Sequence, residues 1–100
     1  MHVWYKVKPT FNESDVPKNL SVLIEKYRMV QKLNIEPDFE KVFLMMQGEI
    51  WSPKGEARSH IKWLGLHHTS MSVGDLIRVK KGNWWIITNL GFNRVKIEGE

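Results

Sequence analysis

The chain has 100 residues and no cysteine, which excludes disulfides and thiolate metal sites and fits a reducing compartment. Its composition, 42% hydrophobic and 26% charged, is that of one globular domain long enough to bury a core unaided. The net charge of +4 argues against an acidic, DNA-mimicking surface. The longest apolar run, Val42–Met46, is far too short to cross a bilayer, and no signal peptide opens the chain, so a soluble cytoplasmic protein is expected.

Val3, Tyr5 and Val7 alternate with His2, Trp4, Lys6 and Lys8, which is the period of a strand. Pro9 ends it, and residues 10–15 form a loop. A helix is predicted from Pro17, capped by Ser14 or Asp15, with Leu20, Leu23, Ile24, Tyr27, Val30 and Leu33 recurring as one buried stripe. Asn34 stops it, and residues 35–38 make a turn. The next apolar run is compatible with a helix. It is short, however, and bounded by Pro37-Asp38 and Gly48, and it reads better as a strand over Val42–Gln47. A second helix follows. Ser52 caps it, Pro53 takes the first position, Ala57, Ile61 and Leu64 face the core, and Gly65 is a left-handed stop; Gly55 weakens the first turn. Strands are predicted over Leu76–Lys80, Asn83–Thr88 and Arg94–Ile97. The turns between them, Lys81-Gly82 and Asn89–Asn93, hold Gly82 and Gly91 where positive φ is needed. The expected fold is a single α+β domain: two helices on one face of a four- to five-stranded antiparallel or mixed sheet, with a C-terminal β-meander.

The segment from His67 to Asp75 concentrates polar chemistry in nine residues. A carboxylate after Val73-Gly74 can accept amides of its own turn and fix the start of a strand, with Ser70 and Ser72 helping more weakly and Met71 and Val73 pointing inward. The catalytic alternative has Asp75 orienting His67 or His68 as a general base. No nucleophile beyond Ser or Thr accompanies them, so no catalytic residue is assigned. His60, His67 and His68 lack metal-ligand spacing, and His60 lies one turn from Glu56 as a surface pair. Neither metal nor cofactor is expected.

Charge is uneven. Residues 1–50 carry seven basic and seven acidic side chains, while residues 51–100 carry eight and four. A basic half suggests a polyanion, and His67 and His68 would add positive charge on acidification. Trp63, Trp84 and Trp85 are candidates for stacking or for an interface, one of the adjacent pair facing outward. The binding candidates are therefore Lys54, Arg58, Lys62, Trp63, His67, His68, Arg78, Lys80, Lys81, Trp84, Trp85, Arg94 and Lys96, with Gly74, Asp75 and Gly91 as structural turn residues.

The segments "FEKVF", "HTSMSVGDLI", "WWI" and "GFNRV", in this order, resemble the YodL-like domain of bacterial mobile-element and phage proteins. The resemblance spans most of the chain, though only "SMSVGD" and "GF" are specific. The "WSPKGEAR" opening and the Trp84-Trp85 pair depart from the pattern and suggest a phage-encoded subgroup. The resemblance implies an α+β fold and a mobile-element setting, and it brings no activity or catalytic residue. Two readings follow. In one, the protein is a non-enzymatic accessory that docks on a host or phage protein, as an inhibitor or modulator. In the other, it binds nucleic acid through its basic half, although no nucleic-acid-binding motif is present.

Overall fold

The chain forms, in order, β1 (His2–Lys6), α1 (Leu20–Lys26), β2 (Tyr27–Lys32), α2 (Phe39–Met45), α3 (Glu56–Trp63), β3 (Leu76–Lys80), β4 (Asn83–Thr88) and β5 (Gly91–Val95). The structure is a computed structural model that describes residues 1–8, 16–48, 51 and 54–100. The expected loop at 10–15, the expected caps Ser14, Asp15 and Ser52, and the expected first helical residue Pro53 lie outside the described residues.

The five strands make one sheet in the order β2-β1-β3-β4-β5, each neighbour antiparallel. This is the expected α+β class, with β3–β5 as the C-terminal meander. Period-two alternation divides the apolar residues between two faces. Val3, Tyr5, Ile77 and Ile87 meet Val42 and Met46 of α2 and Ile61 of α3. Leu76, Trp84 and Ile86 point the other way and meet Leu23 of α1. Two helices do cover one face, but they are α2 and α3, and α1 covers the opposite one.

The long first helix is corrected. It starts at Leu20, with Asn19 as its cap accepting the Val22 amide at 3.0 Å, and ends at Lys26 with no glycine or proline present. Arg28 ends it. Its guanidinium donates to the carbonyl oxygens of Ile24, Glu25 and Tyr27, satisfying acceptors that a further turn would have used. The chain then pairs with the free side of β1, from His2↔Lys32 to Lys6↔Tyr27. Seven helical residues gain little by adding turns, whereas an unpaired β1 would leave a row of buried backbone groups unsatisfied. Tyr27 and Val30 of the expected stripe are buried, but on opposite faces of the sheet. Ile24 is 59% exposed.

The strand expected at Val42–Gln47 is also corrected, because these residues lie in and just after α2. Asp38 caps this helix by accepting the Lys41 amide at 3.1 Å. Phe39, Val42, Phe43 and Met46 fall at helical spacing and turn inward. α3 keeps its expected register, with Ala57 and Ile61 buried and Gly65 at φ 75°, but it starts at Glu56, so that Gly55, expected inside its first turn, precedes it as the N-cap at φ 86°. The last strand begins at Gly91 rather than Arg94, because Thr88 pairs with Gly91 across a two-residue turn.

Candidate functional site

The His67–Asp75 segment is bound to three elements. Asp75 is 1% exposed and accepts four donors: the Lys6 amide (2.9 Å), the Ser72 amide (2.9 Å), the Ser72 hydroxyl (3.3 Å) and His68 Nε2 (3.1 Å). Its own amide donates to Ser72 O, and its carbonyl oxygen accepts from the Ile87 amide. One carboxylate thereby closes its turn, ties that turn to β1 and starts β3. The Tyr5 ring stacks on His68 at 4.7 Å, and its hydroxyl donates to Met46 O and Thr69 O. Burial, together with the Asp75 charge, pushes that hydroxyl well above the usual phenol range. Gly74, at φ 96°, gives its carbonyl oxygen to the Tyr27 hydroxyl at 2.7 Å.

The Asp75–His68 pair has the composition of an acid–base dyad but not the access. His68 Nε2 is occupied by Asp75, and Nδ1 is buried without a partner. With Nε2 engaged by the buried Asp75 carboxylate and Nδ1 itself buried, neither nitrogen is placed to exchange a proton with a substrate. The pair holds the loop. Among the described residues, no three His, Asp or Glu side chains come together as a metal site.

The binding candidates fall into separate places. Arg58, Lys62, His67 and His68 line a pocket of about 470 Å³ beside α3, and Lys54 is exposed just before that helix. Arg78 is committed to an ion pair with Glu100 and lies over the Trp84 ring. Lys80 and Lys81 are exposed at the β3–β4 turn, and Arg94 and Lys96 on and after β5. α3 sits beside β2, where His60 Nε2 is 3.0 Å from Val30 O. β2 and β5 are opposite sheet edges, four strand spacings or about 19 Å apart. The basic residues therefore form no single stripe. Trp84 is 1% exposed and has no ring face to offer. Trp85 lies 4.8 Å from Phe39 and donates to Asn83 Oδ1 at 2.7 Å. Trp63 is the candidate that stands out, 81% exposed.

A second feature lies at the other end of the sheet. α2 and the β4–β5 hairpin enclose a groove of about 380 Å³, lined by Phe43, Leu44, Ile87 and Phe92 together with Glu40, Thr88, Asn89 and Gly91. Leu44 is 65% exposed at its margin, and Leu90, in the intervening turn, is fully exposed. β5 ends the sheet, and among the described residues no strand lies along its outer side. No family model, curated protein or solved structure matches the chain.

None of the groove residues was singled out from the sequence. Leu44 is one of five successive apolar residues, and its outward direction follows only once Asp38 is known to start a helix. Leu90 carried a signal of its own: an aliphatic residue between Asn89 and Gly91, where turns are ordinarily polar.

Proposed function

We propose that this is a non-catalytic docking protein that takes an extended segment of a protein partner along β5. The carrying observation is that β5 is an edge strand, with no strand along its outer side among the described residues, running beside the apolar α2–β5 groove. An added strand would satisfy the outward backbone groups of β5, and one of its alternate side chains would enter the groove against Phe43 and Phe92. A five-residue segment spans about 17 Å, the length of β5 itself. Open edges are ordinarily blunted by charge, bulges or cover. The β5 edge does carry the exposed Arg94, yet the neighbouring surface also displays two exposed leucines, Leu44 and Leu90. The exposed Arg94 and Lys96 favour a partner with acidic residues beside its apolar anchor.

The resemblance to the YodL-like domain supports a phage or mobile-element setting, in which the protein would act on a host or phage protein in the cytoplasm. No helix among the described residues is long and apolar enough to cross a membrane. The dispersal of the basic residues favours this reading over a nucleic-acid-binding surface.

The test is selection from a random-peptide library against the folded chain. The expected ligands are extended peptides with one apolar anchor flanked by acidic residues. Their binding should be lost in Leu44→Lys/Leu90→Lys, a variant that alters only exposed side chains and should keep its fold. Binding that survives this variant would overturn the proposal.

A further inference from the structure

We infer that the segment docked along β5 runs antiparallel to that strand and carries an acidic residue two positions before its apolar anchor, an assignment that rests on the docking reading above. The register follows from where the backbone of β4 is already engaged. Ile87 donates its amide to Asp75 O at 2.9 Å, and its carbonyl oxygen accepts the Gly74 amide at 3.0 Å, so both groups point toward the residues leading into β3. Phe92 lies opposite Ile87. The two therefore form a non-hydrogen-bonded pair, and the N–H and C=O of Phe92 point outward. Two residues on, Arg94 opposite Trp85 repeats this geometry. The main chains of Phe92 and Arg94 are thus the ones offered to an added strand.

Their side chains share a face as well. Phe92 packs on Phe39 of α2 at 5.2 Å, and Trp85, the cross-strand partner of Arg94, packs on the same ring at 4.8 Å. Phe92 lines the groove, and Arg94 is exposed. A strand hydrogen-bonded to these two residues sets one side chain beside Phe92 at the groove and another beside Arg94, two positions away on the same face. The side chain between them turns to the other face, beside the exposed Asn93, and is free to vary.

Every neighbouring pair in this sheet is antiparallel, and antiparallel pairing is the more stable per residue. A strand running against β5 meets Arg94 before Phe92, which puts the acid ahead of the anchor. Glu40 reinforces that order. It lines the groove and so disfavours an acidic side chain at the anchor position.

The test compares peptides selected from a random-peptide library on wild type and on Arg94→Glu. Wild type should return an acidic residue, any residue and a large apolar residue, in that order. Arg94→Glu should return lysine or arginine in place of the acid at the same spacing. In fluorescence anisotropy, replacing the acid of a wild-type peptide by lysine, or moving it one position, should weaken binding about two- to fivefold, the scale of one cross-strand charge pair. The lysine peptide should bind Arg94→Glu better than wild type. Peptides that slow amide exchange at Phe92 and Arg94 and are lost in Leu44→Lys/Leu90→Lys, yet carry no acid at this spacing or carry it after the anchor, would overturn the assignment and leave the docking reading standing. Failure to select any peptide, or binding indifferent to the leucine variant, would overturn both.

Discussion

Replacing Asp75 by alanine tests the reading of the loop most severely. The substitution withdraws the acceptor from the Lys6 and Ser72 amides and from His68 Nε2, and leaves a small void. A buried donor left unsatisfied costs about 1–3 kcal/mol. The Lys6 amide is fully enclosed and takes the upper part of that range, whereas the Ser72 amide is partly enclosed and water can replace its acceptor. The expected total is about 3 kcal/mol, which in a domain of this size lowers the melting temperature by roughly 12–24 °C. Asp75→Asn keeps one oxygen for Lys6 but sets an amide donor where the Ser72 amide needs an acceptor, so it should fall between wild type and alanine, near half the loss. Urea unfolding with an unchanged m-value measures both. A loss under about 1 kcal/mol for alanine, or a larger loss for asparagine than for alanine, would refute the assignment of Asp75 as the clamp of this loop.

Leu23 is fully buried and Ile24 is 59% exposed, so Leu23→Ala should cost about 2–5 kcal/mol and Ile24→Ala within about 0.5; equal costs in denaturant unfolding would restore the continuous apolar stripe. Tyr5→Phe removes donors from Met46 O and Thr69 O, but each keeps another donor, the Met71 amide and Trp51 Nε1, so about 1 kcal/mol is expected by the same measurement. Burial, then the cations Arg78, the N-terminal ammonium and Lys32, hold His2 below its ordinary value of 6.5. Partial burial pulls Glu100 upward, but the Arg78 guanidinium outweighs it and holds the carboxyl below 4.5. In both cases the unfolded chain takes up its proton first, so stability falls with falling pH, from 6.5 downward for His2 and from 4.5 downward for Glu100. His2→Gln should flatten the upper limb of the pH–stability curve and Glu100→Gln the lower; curves unchanged from wild type would count against these assignments.

The sheet was largely legible because its signals are local. β1 announces itself by alternation, and β3 and β4 by β-branched and aromatic runs punctuated by Lys81-Gly82. α3 could be read from the Ala57–Ile61 spacing and from Gly65. β2 could not, because Tyr27 and Val30 continue the helical spacing of Leu20 and Leu23. What ends that helix is the need of β1 for a second partner, a contact between residues 2–6 and 27–32 that no local window contains. α2 was misread despite an available signal, since Asp38 followed by Phe39, Val42, Phe43 and Met46 is a cap and an apolar helical face. Asp75 was legible as a turn residue, whereas its hold on the Lys6 amide, 69 residues away, was not.

Amide hydrogen exchange of the chain with and without a selected peptide tests the docking account most directly. The account predicts slowed exchange at the amides of Gly91–Val95 that point away from β4, with little change along β2, the other sheet edge. Protection along β2 or α3 with β5 unchanged would contradict it.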